Sequence, residues 1–301
     1  MISIIIASAN EQLLNQVSVN IRETIGVPYE ILAFENSDGK KGICEIYNKG
    51  TQKAQYELLC FMHEDVLIET TDWGKKVVEI FEKTTDIGLL GVAGSTYKSL
   101  TPSSWFPPYA SFGNNTWRIN IKQVSSDRLE KEIHDYYNPY HEKMSRVACL
   151  DGVWLCTRKK TILKYPFDEK RLKHFHGYDI DISMSINQHH FLYVTFEVLM
   201  KHFSKGNFNH IWLRETLKVH TKWCGNLPLN MEENVGSELI SRDMQALKDD
   251  ILIKFPTNSN LPPFLIFKLT TRLFLKEKIN FRTYRQSLTR LFKSRGSKLI
   301  S

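Results

Sequence analysis

The chain has 301 residues, with 40 Lys+Arg against 33 Asp+Glu, 42% hydrophobic, 12% aromatic and 24% charged residues, which excludes a disordered polymer, a collagen-like repeat and a disulfide-stapled miniprotein. Five cysteines (Cys44, Cys60, Cys149, Cys156, Cys224) form an odd set without a C-x-x-C pair, so neither a disulfide framework nor a zinc ribbon is expected, and a reducing compartment is. The net charge of +7 is concentrated in 264–301, where ten basic residues face one acid, Glu277; the rest of the chain is slightly acidic and gives no support to nucleic-acid binding.

The opening run MISIIIASAN has no basic n-region and too short an apolar stretch for a signal peptide, and no segment approaches the roughly 18 apolar residues of a membrane span. It reads as a buried strand. Helical spacing over NEQLLNQVSVNIRETIG follows, then a second strand, YEILAFEN, closed by Ser37-Asp38-Gly39. Such strands alternating with helices predict an α/β fold with a mostly parallel central sheet covered on both faces.

A helix over 43–54 precedes YELLCFMHEDVLI, whose apolar run stops abruptly at His63, Glu64 and Asp65. Ligands of open α/β sheets bind at the carboxyl ends of strands, which places this triplet at a crevice. A helix over 73–84 and a strand over IGLLGVAGS come next, and the Pro-, Ser-, Asn- and aromatic-rich stretch 97–115 reads as a long surface loop. RVACLDGVWLCTRK reads as one strand ending at solvated Arg158 and Lys159. FHGYDIDIS sets Asp179 and Asp181 at a helix start, and LYVTFEVLMKHFSKGN is a strand ending at His202 and a Ser204-Lys205-Gly206 turn. From Glu215 the pattern is mostly helical, interrupted at Pro228 and at Leu261-Pro262-Pro263. The boundary is therefore drawn between an α/β domain over 1–225 and a helical C-terminal extension over 226–301, with its basic tail at 264–301.

Carboxylate and imidazole groups at the mouth of such a sheet can hold a divalent cation that leaves positions open for phosphate oxygens, and a second carboxylate kept apart from it can take a proton from a hydroxyl. The pairs His174/His176 and His189/His190 lack a second suitably spaced cluster and read as helix-flanking histidines rather than zinc ligands. Trp105, Phe106, Tyr109 and Trp117 form either a sugar-stacking platform or a small cluster beneath the loop. Trp154 reads as core.

The ordered succession of Ile4-Ile5-Ile6-Ala7-Ser8, Glu35-Asn36, CFMHEDVLI, GVAGS, DGVWLCTRK, FHGYDIDIS and VLMKHFSKG resembles the nucleotide-sugar glycosyltransferases of family 2, and more closely their bacterial subgroup with histidine in the D-x-D position. The resemblance spans Ile2 to about Trp223, roughly three quarters of the chain. It implies a GT-A (Rossmann-like) fold and a glycosyltransferase that moves a sugar from a UDP-sugar donor to a glycan or lipid-linked acceptor, by a metal-dependent inverting displacement in surface polysaccharide synthesis. By the same resemblance Ala7, Ser8, Asn10, Glu35 and Asn48 line the nucleotide, and Glu64 reaches the ribose. Asp65 and His202 bind Mn²⁺ or Mg²⁺, with His63 beside the donor as the substitute for the first carboxylate and hence a site of weaker metal affinity. Asp179 is the base, Asp181 orients or caps on the acceptor side, and Asp151, Gly152 and Tyr178 border the acceptor, to which the aromatic reading adds Trp105.

Phe267, Phe274, Phe281 and Leu288 recur at sevenfold spacing among the basic residues of the tail, which predicts one amphipathic helix. It either docks on protein, including a second copy in a homodimer, or lies on an anionic bilayer. The expected location is cytoplasmic, extending to peripheral contact with the inner face of the membrane. The alternative function is a non-catalytic protein of the same fold that binds a membrane surface or a partner enzyme through this tail.

Overall fold

The computed structural model describes residues 1–107, 116–125, 131–203, 206, 208–232 and 236–296. The chain divides into two compact units, Met1–Thr96 with Asn115–Asn207, and Tyr97–Asn114 with Phe208–Ser301. By contacts, residues 97–107 and the helix His210–Trp223, which the sequence division at 225 places with the α/β domain, group with the C-terminal helices.

The first unit is built on a seven-stranded sheet in the order Met144–Val147, Phe191–Thr195, Ile87–Gly91, Trp154–Arg158, Leu58–Met62, Ile2–Ser8, Tyr29–Glu35. Five strands run in one direction, and only Trp154–Arg158 and Met144–Val147 oppose their neighbours. Ile2, Ile4, Ile5 and Ile6 are fully buried between two parallel neighbours, which is why this strand shows no polar alternation. The helix Glu11–Thr24 starts at Asn10, whose Oδ1 accepts from Gln12 N and Leu13 N, satisfying donors the helix leaves unpaired.

A second sheet of the same unit contains Cys149–Leu150, Ala93–Ser95, Trp117–Ser125, Met200–His202 and Val66–Ile68, with Lys131–Tyr137 paired to Trp117–Ser125. Four of these strands directly continue strands of the first sheet after a short break. The segments expected as single strands over 87–95, 146–159 and 192–202 are therefore each divided, and their hydrophobic runs conceal the breaks because the pieces on both sides are largely buried. The break between Met62 and Val66 is His63-Glu64-Asp65, so these three side chains stand where the chain passes from one sheet to the other.

Arg158 and Lys159 are not solvated ends. The Arg158 guanidinium donates to the carbonyls of Phe81, Thr84 and Ile87, and Lys159 Nζ donates to Ala54 O, so two cations close the carboxyl ends of the helices Trp73–Lys83 and Ile43–Lys53. All five cysteines are buried, and none is in a disulfide.

In the second unit, Tyr97–Lys98 pairs antiparallel with Leu229–Asn230. The described part of the expected surface loop, 97–107, is mostly buried. Burial of irregular backbone requires partners for its polar groups, and distant helices supply them. Asp243 accepts from Tyr97 Oη, Leu100 N and Thr101 N, while His220 donates from Nδ1 to Leu100 O and accepts at Nε2 from Ser103 N and Lys98 Nζ. Tyr109 lies outside the described residues, as do Ser204 and Lys205. The tail forms two helices, Pro263–Leu275 and Phe281–Gly296, instead of one. Ile266, Leu269, Thr270 and Leu273 of the first and Thr283, Ser287 and Leu291 of the second are buried, so the sevenfold Phe series is not the packing stripe.

Burial, reinforced by the Lys98 charge, holds the His220 imidazole well below its ordinary value, hence neutral. The unfolded chain takes up this proton below about pH 6.5 and the folded unit does not, so stability is present above that pH and falls as pH is lowered through it, by up to about 1.4 kcal/mol per unit. Urea midpoints of the wild type should show this slope between about pH 6.5 and 5, and His220→Gln should flatten it.

Candidate functional site

The site is assembled at the carboxyl end of Leu58–Met62. Trp154–Arg158 is antiparallel to that strand with Trp154 opposite Met62, so the residues preceding it, Asp151-Gly152-Val153, arrive at the same end, where Val153 O accepts from His63 N at 3.0 Å. In the second sheet His202 is in register with Val66, and Phe203 N donates to Asp65 O, which brings His202 beside Asp65.

Asp65 Oδ1 lies 3.7 Å from His63 Nδ1 and 3.7 Å from His202 Nε2, and one donor atom from each residue falls within 4.8 Å of the others. A separation of 3.7 Å is too long for a hydrogen bond but is a spacing that two donors take up across one cation with bonds of roughly 2.0–2.6 Å. Hydrogen bonding fixes which nitrogens face the carboxylate. Tyr178 Oη donates its proton to Gly152 O at 3.0 Å, leaving its oxygen to accept from His63 Nε2–H at 2.8 Å, so the lone pair of His63 is on Nδ1. His202 Nδ1–H donates to Gln123 Oε1 at 3.2 Å, so its lone pair is on Nε2, a buried atom with no hydrogen-bond partner among the described residues. Burial pulls the His63 imidazole below its ordinary value, which favours the neutral form a ligand needs. Two lone pairs and a carboxylate oxygen therefore converge, and these residues fit a divalent cation.

His63, which the sequence assigns to the donor, thus joins Asp65 and His202. Glu64 is turned the other way. Its carboxylate accepts from Ser8 Oγ at 2.6 Å, Ala9 N at 3.0 Å and Asn10 N at 3.1 Å, clamping the turn after the first strand beside half-buried Ala7. The Asn10 side chain is the helix cap described above, so this amide is spent on the helix Glu11–Thr24 rather than facing a nucleotide. Glu35 is opposite Ser8 in register and exposed, and Ser37, through its hydroxyl and its backbone N–H, holds the carboxyl below its ordinary value.

Four expected contacts have other partners. The Asn48 amide bonds Phe167 O, Phe167 N and the Glu169 carboxylate, tethering 167–169 rather than facing a ligand. Asp181 is 2% exposed and belongs to the interior, not to an acceptor surface. Trp105 is buried edge-on to Phe106 at 5.0 Å, the small-cluster alternative, while Trp117 stands on a strand of the other unit. Tyr178, buried, acts through His63 instead of on an acceptor, and Gly152 is explained by it: a Cβ there would stand 2.3 Å from Tyr178 Oη. Asp179, half-buried in the first turn of Tyr178–Asn187, and Asp151 both lie close enough to Tyr178 for their charges to raise its hydroxyl pKa, after burial and Tyr47. Gln123 carried no signal in the sequence, since its part in the site comes only from its register with His202.

Gly152→Ala should therefore lose about 1–3 kcal/mol in denaturant unfolding as the added methyl displaces Tyr178. Tyr178→Phe should leave the fold intact but free His63 Nε2, which proton-detected spectra of the histidine ring would report as loss of a single tautomer.

Among solved structures, the chain is similar to S. aureus TarS 1-349 in complex with UDP-GlcNAc, with 10% identity and a TM-score of 0.53 over 97% of this chain and 88% of that one. A longer S. aureus TarS chain gives 8% identity and a TM-score of 0.52 over 97% and 53%. GalNAc-T7 with UDP, GalNAc and Mn²⁺ gives 12% identity and a TM-score of 0.49 over 82% and 55%. The chain spans about half the length of the last two, and at such identities the TarS likeness is one of fold. No curated protein matches the sequence significantly. The model of a family described as "Glycosyltransferase like family" matches residues 3–225. With the sheet order and the site geometry in place, the mixed α/β architecture is that of GT-A glycosyltransferases, and the chain belongs to this glycosyltransferase-like family.

Proposed function

We propose that the protein transfers a sugar from a uridine diphosphate donor to a hydroxyl of a glycan or lipid-linked acceptor, with a divalent cation and inversion at the anomeric carbon, in the synthesis of a surface polysaccharide. The observation that carries this reading is the convergence of His63 Nδ1, Asp65 Oδ1 and His202 Nε2, each imidazole held in one tautomer by a partner outside the cluster. Family membership and the UDP-GlcNAc named for the TarS neighbour support the donor class. When bound, the cation supplies a positive charge that stabilises the diphosphate leaving group. Two imidazoles in the donor set suit Mn²⁺ better than Mg²⁺, which prefers oxygen ligands.

The remaining chemistry belongs to side chains. The turn clamped by Glu64 and the ionised Glu35 carboxylate stand together at the end of the first two strands, where a nucleoside would find a fixed edge of chain and a carboxylate to accept from its hydroxyls. Asp179 takes the proton of the acceptor hydroxyl as its oxygen attacks the anomeric carbon, and the bond from that carbon to the diphosphate oxygen breaks on the opposite side. Asp151 borders the acceptor.

Asp65→Ala should abolish the Mn²⁺-dependent part of the thermal shift given by UDP; at about 100 times its dissociation constant the ligand adds roughly 2.7 kcal/mol to the wild type. Equal shifts in both proteins would remove Asp65 from the site. Asp179→Asn should keep the UDP shift and lose transfer and slow donor hydrolysis by about a hundredfold or more, as expected for a general base. Unchanged turnover would remove Asp179 from its role, and a wild type that binds donor but hydrolyses none would favour the non-catalytic alternative.

A further inference from the structure

The C-terminal helices each bury one face and present a second apolar face outward. On Pro263–Leu275 the interior side is Ile266, Leu269, Thr270 and Leu273, whereas Phe264, Phe267 and Leu275 are 71%, 37% and 69% exposed. At 3.6 residues per turn these three lie within about 80° of one another, opposite the buried side. On Phe281–Gly296, Phe281 and Phe292 are 62% and 65% exposed, and their spacing puts them within about 20° on the helix surface, away from buried Thr283, Ser287 and Leu291. The two faces meet, because the Phe274 ring stacks on Tyr284 at 4.7 Å and lies 6.0 Å from Phe281.

An apolar face this aromatic is unusual on a solvated helix and marks an interaction surface. Its surroundings select the partner. Lys268, Arg282 and Arg285 are exposed on the same two helices and Lys276 directly after the first, and Glu277 is the sole acid against ten basic residues in 264–301. A second copy meeting the same face would bring two such cationic segments together, which opposes an isologous dimer. Among the described residues no helix is long and apolar enough to cross a membrane. Aromatic and aliphatic side chains backed by a buried face and rimmed by Lys and Arg fit the boundary between headgroups and acyl chains of an anionic bilayer. We propose that this helical pair is a peripheral docking surface for anionic lipid, seating Phe264, Phe267, Phe281 and Phe292 in the interface plane.

The test is co-sedimentation of the full chain with vesicles of phosphatidylcholine mixed with phosphatidylglycerol, against vesicles of phosphatidylcholine alone. The wild type should partition onto the anionic vesicles only, and raising NaCl from about 0.1 to about 0.5 M should release it as charge is screened. The variant carrying Phe264→Ser, Phe281→Ser and Phe292→Ser should bind at least about tenfold more weakly with its unfolding midpoint unchanged, since these side chains contribute little to the core. Arg282→Gln with Arg285→Gln should lower partition about fivefold per charge. Unchanged partition of the triple Phe variant, or equal binding to neutral vesicles, overturns the proposal. So does a wild-type dimer in light scattering that the same substitutions dissolve while neither protein binds vesicles.

Discussion

A single hydroxyl proton organises the site. Tyr178 gives it to the Gly152 carbonyl, and the oxygen left behind takes the Nε2 proton of His63, so the Nδ1 lone pair faces Asp65. Everything in this relay is local to the end of one strand, yet it depends on two long-range facts. Trp154–Arg158 must run antiparallel to Leu58–Met62 to deliver Gly152, and a Gly must be there, because a side chain would occupy the Tyr178 hydroxyl position. His202 is set by the parallel arrangement in the second sheet, where Gln123 plays for Nδ1 the part that Tyr178 plays for His63. Partners one step removed from the converging atoms thus decide what those atoms present, as outer-shell groups do in metal sites generally.

The passage of strands between two sheets is what makes room for this chemistry. Inside a strand, alternation would send His63 and Glu64 to opposite faces of a buried sheet, and Asp65 back to the face of His63. In the break between Met62 and Val66 the three side chains keep that division: His63 and Asp65 point toward His202, and Glu64 toward the turn Ser8-Ala9-Asn10. One triplet therefore shapes the candidate cation site and the turn at the end of the first strand together. Polar groups concentrated at that break cost little to burial elsewhere, because the flanking pieces remain apolar and buried.

Features carried by short-range pattern were legible in the sequence. The unbroken Ile2–Ser8 run and the abrupt end of an apolar strand at His63-Glu64-Asp65 each have a local physical cause, and the ordered motifs pointed to the family that residues 3–225 match. What escaped depends on partners far along the chain. The Asn48 amide is spent on Phe167 and Glu169, the polar 97–107 stretch is buried because His220 and Asp243 satisfy it, and Gln123 enters only through strand register. The tail misled in a different way: a sevenfold Phe series looks like a packing stripe, but the buried positions are Leu269, Leu273 and Leu291, and several of the phenylalanines face solvent.

The claim on which the functional reading turns is that one cation is held by nitrogen from two histidines in opposite tautomers. Pulsed electron paramagnetic resonance of Mn²⁺ bound to the chain with UDP, prepared with histidine labelled by ¹⁵N at Nδ1 in one sample and at Nε2 in the other, reads this directly. One directly bonded nitrogen coupling in each sample, from His63 in the first and His202 in the second, is the predicted result. Bound Mn²⁺ with no histidine coupling in either sample would contradict it.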